Sequence, residues 1–499
     1  MPQLLLMLII FMPIVCGVGI LTLRPFGSSY FKPITAGATI LTFMMVLYLG
    51  LMYPTAAITL SNLHPTFSLA LQLDNMGILF TSLVSLLWVF TTFYTFGYMD
   101  HEKNHTRFYG FFIIALGVTL GIGFSANLFT LYMFYEALTF VTYPLVVHKG
   151  SKEALTAGKK YLIFSLFGAG LALTGMILLA PVLDNYFFAA QGKVLLGAVG
   201  NGYLLMVFLM MFIGFGVKAA IFPLHSWLLG AMIAPTPVSA LLHAVAVVKS
   251  GIFALTRVTY YIFGYNVVKE INIIPYLSIL IGVMIIVGSL LAVGEKNLKR
   301  RLAYSTIAQL GYIMMGLILL TENSIRGGLI HIVNHAFIKI TLFFCIGTII
   351  FMTGKTSLKE INGIGKRMPI TMGCFTVSAF SLMGIPPLNG FISKSHLVIG
   401  ALDANMILHA VLFIGGAFLT ASYLLPIVIA AFLKQPEPEE LKSAVDGESI
   451  PEAGDDTSSL EPPKVMLVPI VTLTVCSFIL GLFPGVVLNL INQIITTIL

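Results

Sequence analysis

The chain has 499 residues, 58% of them hydrophobic and only 9% charged, with a formal net charge of +7 and a mean hydropathy of +0.98. A soluble domain carries about a quarter charged residues, so this composition excludes a water-soluble globule. Four scattered cysteines, Cys16, Cys345, Cys374 and Cys476, form no C-x-x-C pair, which argues against a zinc ribbon or iron–sulfur ligation.

Taken in chain order, about fourteen apolar windows recur, each long enough to cross a bilayer as a helix. They centre near residues 13, 43, 86, 116, 138, 167, 212, 249, 282, 311, 340, 380, 418 and 474. The expected fold class is therefore an all-α integral membrane protein. The first window begins at Met1 and lacks a basic leader and a small-residue cleavage site, so it reads as a retained helix. Residues 1–105 hold the first three helices. Residues 434–464, rich in Glu, Asp, Pro and Ser, read as an acidic, flexible loop before the last helix at 465–499.

Lysines and arginines concentrate in alternate loops. Nineteen of the 27 fall in odd-numbered loops and four, Lys193, Arg257, Lys269 and Arg326, in even-numbered ones. By the positive-inside rule the odd loops face the cytoplasm and both termini face outward. The basic charge thus sets orientation in a cytoplasmic (inner) membrane, and no nucleic-acid partner is needed to explain it.

Four lysines remain inside or beside the windows: Lys218, Lys249, Lys339 and Lys394. One acid, Glu136 in "TLYMFYEALTF", lies well inside. A charge at the bilayer centre costs roughly 2.5–3.5 kcal/mol on insertion scales, so such groups mark ion pathways or pair with one another. Snorkelling towards the interface is the structural alternative for a single lysine. Glu136 and Lys218 make a natural pair, the acid favouring the charged amine and desolvation opposing it. In "GLIHIVNHAFIKITLFF", His331, His335 and Lys339 are spaced four and four, which puts them on one helical stripe. The stripe suits proton transfer. It also suits interhelical hydrogen bonding, whereas a metal site lacks a third ligand. His225, His243 and His396 are accessory candidates. Lys218 precedes "FPLHSW" and Lys394 follows "GIPPLNGF", two proline-bearing interruptions of apolar windows. Paired broken helices in two halves of a membrane protein point to a transport site. "GIGFSA" at 121–126 matches a dinucleotide fingerprint but has no βαβ context, and close helix packing explains its glycines better. No nucleotide, flavin or haem site is legible, and no cofactor is expected.

Five stretches carry a family likeness: "YEALTFVTYPLV", "GFGVKAAIFPLHSWLLGAMIAPTPVSALLHAVAVVKSG", "NLKRRLAYSTIAQLGYI", "GLIHIVNHAFIKITLFF" and "GIPPLNGFISKSHL". With them the chain resembles the antiporter-like subunits shared by respiratory complex I, membrane-bound hydrogenases and Mrp-type cation/proton antiporters. The resemblance implies fourteen helices with two inverted five-helix repeats, at 106–264 and 265–433, and broken helices seven and twelve. It implies a proton relay through Glu136, Lys218, Lys249, His331, His335, Lys339 and Lys394. It implies a non-redox subunit without a catalytic centre, whose partners are other membrane subunits, lipid, and protons or sodium. A lysine at 394 resembles the Mrp D-type and hydrogenase-type members. The chain stops at Leu499 without room for the long lateral helix of some relatives, which argues against the distal complex I subunit. One departure stands out: the family often reads W-L-P-x-A-H where this chain reads "WLLGAM", so Met232 replaces a histidine and His243 is expected to carry more of the relay.

Overall fold

The structure, a computed structural model, describes residues 1–22, 30–64, 67–183, 185–195, 197–435 and 459–499. Its helices are α1 (Pro2–Thr22), α2 (Phe31–Met52), α3 (Asn75–Tyr98), α4 (His105–Gly123), α5 (Leu128–Val146), α6 (Lys152–Leu179) and α7 (Asn201–Gly216). There follow α8 (Ser226–Gly230), α9 (Thr236–Ala244), α10 (Val247–Thr256), α11 (Tyr265–Glu270), α12 (Ile274–Gly294), α13 (Leu298–Ile318) and α14 (Glu322–Thr353). The last are α15 (Ile364–Arg367), α16 (Pro369–Met383), α17 (Asn389–Asp403), α18 (Ile407–Leu433), α19 (Lys464–Leu482) and α20 (Gly485–Ile498). Among the described residues, ten helical segments are long and apolar enough to span a membrane, and three shorter apolar helices accompany them.

Side-chain caps start several of these helices. Asp74 accepts from Gly77 N at 2.8 Å, Asn127 from Thr130 N at 2.7 Å, and Asn297 from Arg300 N at 3.1 Å. Thr321 and Ser324 form a reciprocal box at the start of α14. α14 is the axis of the molecule: it packs on α3, α9, α13, α16, α17, α19 and α20, and residues 324–349 are almost entirely buried. α1, α2, α18 and α19 form the periphery and turn apolar side chains such as Leu51, Leu408 and Phe418 outward. The glycines of "GIGFSA" serve packing: a Cβ on Gly121 would sit 2.5 Å from the Phe134 ring, and one on Gly123 2.4 Å from Thr81.

The fold departs from an all-helical reading in one place. Residues Ala57–His64 (β1) and Phe67–Gln72 (β2) form an antiparallel hairpin. It is fastened to α5: Asn127 Nδ2 donates to Ser68 O at 2.9 Å, and Ala70 N to Thr130 Oγ1 at 3.0 Å. The window centred near 249 is not one helix. It breaks at Val245–Ala246, between α9 and α10, and continues as a π-helix at Arg257–Phe263. The last window also divides, at Phe483–Pro484, into α19 and α20.

Most of the acidic loop expected at 434–464 lies outside the described residues. Its final residues are held in place. Glu461 accepts hydrogen bonds from Ile370 N at 2.6 Å and Thr371 Oγ1 at 2.5 Å, an acid at the positive end of α16.

Candidate functional site

Two interruptions and one continuous helix organise the buried charges. The first interruption follows α7. Its C-terminal turn gives way to irregular backbone at 217–225, where Ala220 has φ +55° and the Phe222–Pro223 bond is cis. Trp227 Nε1 closes the segment by donating to Val217 O at 2.9 Å. Lys218 lies in this segment, 1% exposed, with Nζ 3.5 Å from Glu136 Oε1. The same Nζ donates to the Tyr135 carbonyl and lies 3.5 Å from the centre of the Tyr135 ring. Tyr135 is fixed in turn by its hydroxyl, which donates to Phe215 O at 2.8 Å. The lysine therefore sits in a cage built by two consecutive residues of α5. Glu136 Oε1 is buried without a hydrogen bond of normal length, so the carboxylate holds the amine loosely.

α10 presses directly on this interruption. A Cβ on Gly251 would fall 2.6 Å from Ala219 N. That closeness brings the helix of Lys249 beside the segment of Lys218, although no hydrogen bond joins the two amines among the described residues. Lys249 turns to α14, where its Nζ lies 3.0 Å from His335 Nδ1. Both are fully buried. One proton joins two bases here: either the ammonium donates to the imidazole, or Nδ1–H donates to a neutral amine, with the same heavy-atom geometry.

The stripe on α14 is intact, but each member has its own partners. His331 lies 2.8 Å from Ser393 Oγ through Nδ1 and 3.0 Å from Gln309 Oε1 through Nε2. Gln309 Oε1 accepts, and the Ser393 hydroxyl either donates to Nδ1 or turns to Gly390 O at 3.1 Å. This setting accommodates the ring with one proton or with two. The rings of His331 and His335 are 5.9 Å apart. Lys339 donates to Leu302 O at 2.9 Å and to Ser305 Oγ on α13.

The second interruption lies between α16 and α17. Gly384 caps α16 at φ +93°, and Pro386–Pro387 is cis. Ser381, Asn334 and Asn389 knit the gap to α14: Asn334 Nδ2 donates to Asn389 O at 2.7 Å and Ser381 Oγ to Asn389 Oδ1 at 2.5 Å. Gly390 has no alternative, because a Cβ there would lie 1.8 Å from Ser381 O. Lys394 reaches back from α17 to the end of α16, donating to Leu382 O at 2.6 Å and Met383 O at 3.3 Å. The carbonyl end of a half-helix, negative in its dipole, thus receives a buried ammonium.

The accessory histidines differ. His243 is fully buried and neither ring nitrogen has a side-chain hydrogen-bond partner among the described residues, and His335 Nε2 likewise has none. His225 stacks on Phe222 with ring centres 5.2 Å apart. His396 is half-buried with Nδ1 unpartnered. No group of three metal-ligating side chains occurs among the described residues.

Two buried charges were missed in sequence: Arg301, 4% exposed on α13 and donating to the carbonyls of Glu295, Val293 and Tyr423, and Arg257. Arg257, counted above among loop cations, is 1% exposed on the π-helix and makes a two-pronged contact with Asp74, at 2.5 and 2.7 Å. The rings of Phe188, Phe253 and Tyr261 enclose its guanidinium at 4.5–4.9 Å. Only the aromatic spacing near 253–261 hinted at this, and the acid is 183 residues away in sequence. Removing Arg257 from the loop count leaves the charge bias between loops unchanged in sign.

Comparison with known proteins gives the chain's family. Residues 125–420 match the family described as NADH:quinone oxidoreductase/Mrp antiporter, TM, and residues 58–109 match NADH-ubiquinone oxidoreductase (complex I), chain 5 N-terminus. The chain is 32% identical over 398 residues to "NADH-quinone oxidoreductase subunit N" of Desulforudis audaxviator, covering 78% of this chain and 77% of that protein. It is 28% identical over 503 residues to "Na(+)/H(+) antiporter subunit A1" of Staphylococcus aureus strain JH9; that match takes in 94% of this chain but only 60% of the relative's length. In fold it resembles a chain of the archaeal membrane-bound sulfane sulfur reductase (TM-score 0.85, 22% identity, 99% of this chain and 97% of the other). It equally resembles a chain of the Mrp complex from Dietzia sp. DQ12-45-1b (TM-score 0.84, 22% identity, the same coverage).

Proposed function

From the fact that the chain belongs to the NADH:quinone oxidoreductase/Mrp antiporter membrane family, we propose that it is an ion-translocating membrane subunit of a larger complex, moving protons along its buried Glu–Lys–His line. The observation that carries this reading is the row of buried amines. Lys218, Lys249, Lys339 and Lys394 are all at most 6% exposed, and of these four only Lys218 has a carboxylate within 4 Å among the described residues. Lysines kept inside without acids are costly for stability, and proton transfer gives them a purpose.

In this reading Glu136 holds Lys218 charged until a neighbouring subunit perturbs the pair. The proton passes by way of Lys249 and His335 to His331 and then to Lys394. Lys339 and His243 serve as side members, and water bridges the nitrogens of His243 and His335 that no side chain reaches. The chain crosses the membrane fourteen times, with inverted repeats at 106–264 and 265–433 and both termini outside. Partners are other membrane subunits, driven either by a redox reaction elsewhere in the assembly or by a cation gradient. Sodium is the second candidate for the moving ion. A stand-alone cation/proton antiporter is the competing reading, and purification with or without partners separates the two.

The test is proton uptake into inverted vesicles carrying the intact complex. Glu136→Gln and Lys218→Ala are expected to abolish it while the complex still assembles. Wild-type uptake in both variants would remove the scheme.

A further inference from the structure

A polar cavity lies at the end of the molecule where the odd-numbered basic loops gather. It has a volume of about 570 Å³ and opens between α6, α8, α13 and the end of α14. Four cations line it: Lys149, Lys160, Lys299 and Arg300. Arg300 is paired with Glu295 at 3.2 Å, and Lys299 donates to Ala234 O at 2.8 Å. Glu102 is the other acid within electrostatic range of Lys299. Lys149 and Lys160 have no carboxylate partner among the described residues. Two of the cations stand on the first turn of α13, where the helix dipole is itself positive. Like charges and a positive helix end repel one another unless an anion lies between them.

The cavity has a lateral continuation. A neighbouring groove of about 520 Å³ shares Lys160, Gly230 and Ile233 with it and runs along the first turns of α6 past Lys152 and Glu153. Further along α6, Ile163, Leu166 and Phe167 are 45–56% exposed and present an apolar strip. A polar, cationic head site thus leads to an outward-facing apolar track along the same helix.

We propose that this cavity binds the phosphate of an anionic phospholipid, with the acyl chains lying along α6. A soluble phosphate shares the head chemistry but not the track. Basic pockets between membrane helices on the cytoplasmic side favour anionic headgroups for the same reason. The site does not depend on which ion the protein moves.

The experiment uses the purified complex stripped of lipid in detergent, with thermal unfolding of this subunit followed as phosphatidylglycerol, phosphatidylcholine or inorganic phosphate is added. Phosphatidylglycerol is expected to raise the midpoint by about 3 °C, consistent with saturation of one site, and the other two are not. Lys149→Gln/Lys160→Gln, two exposed positions whose change leaves the fold intact, is expected to remove at least half of that rise. An undiminished rise in the double variant, or an equal rise with phosphatidylcholine, overturns the site. A full rise with inorganic phosphate alone assigns the pocket to a soluble anion and overturns the lipid.

Discussion

Lys249 on α10 and His335 on α14 face each other at 3.0 Å, a buried base opposite a buried base with no acid beside them. The contact joins the half of the chain that holds the first interruption to the helix that leads to the second. If protons cross between the halves here, Lys249→Ala and His335→Ala should each slow proton uptake roughly tenfold or more, about 1.4 kcal/mol on the barrier. Native gels should show the complex assembled in both. Unchanged uptake in either would route protons elsewhere.

The Glu136–Lys218 pair should show coupling in stability as well as in transport. Removing one partner leaves the other charge poorly solvated, and removing both relieves it. Glu136→Gln and Lys218→Gln are expected each to destabilise the subunit, and the double variant less than the sum, by about 1 kcal/mol because the carboxylate is 16% exposed. Thermal melts of the four proteins complete the cycle. Simple additivity would mean the 3.5 Å contact has no energetic content.

Arg257 and Asp74 predict the opposite division between stability and activity. Their contact is tight, doubly hydrogen-bonded and enclosed by aromatic rings, and it lies apart from the line of lysines. Arg257→Ala is expected to cost about 2–3 kcal/mol, below the cost for a fully buried pair because the stranded Asp74 carboxylate is 31% exposed. The protein that does assemble should transport at a normal rate per molecule. A stable variant with lost transport would place Arg257 in the relay.

His148 supplies a pH dependence outside the membrane-spanning helices. Burial, and then the nearby Arg107, push its imidazole down to about 4, and Nε2 donates to Lys103 O at 2.9 Å. The unfolded chain binds a proton near pH 6.5 that the folded loop refuses, so stability is full above that pH and declines as pH falls towards 4. A loss of about 1 kcal/mol between pH 7 and pH 5 is expected after solvent screening. Melts of the wild type and His148→Gln at both pH values test it. An equal decline in the variant would assign the effect to other groups.

Much of this was legible in the residues themselves. Apolar length marked the helices, because a bilayer demands it, and the spacing of four placed His331, His335 and Lys339 on one face. Proline placed both interruptions. The sequence was silent where backbone geometry changes without proline or glycine, as at Val245–Ala246. The hairpin left a faint signal, Ile58 and Leu60 alternating with Thr59 and Ser61, which long apolar neighbours masked. The partners of the lysines were beyond reach, because carbonyls such as Leu302 O and Leu382 O have no identity in a sequence. Arg257 at a window's end looked like a loop cation until Asp74 was found beside it.

The hairpin's attachment has a mechanical consequence. β1 and β2 are fastened to the start of α5 through Asn127 and Thr130, and Asp74, just beyond β2, grips the π-helix through Arg257. Three distant parts of the chain are thus riveted at a single end of the bundle. A set of rods joined at one end splays at the other, so any tilting of α5 against α10 has its pivot at the hairpin and its greatest travel far from it. Glu136 lies about two turns along that rod, so a rotation at the pivot shifts its distance to Lys218.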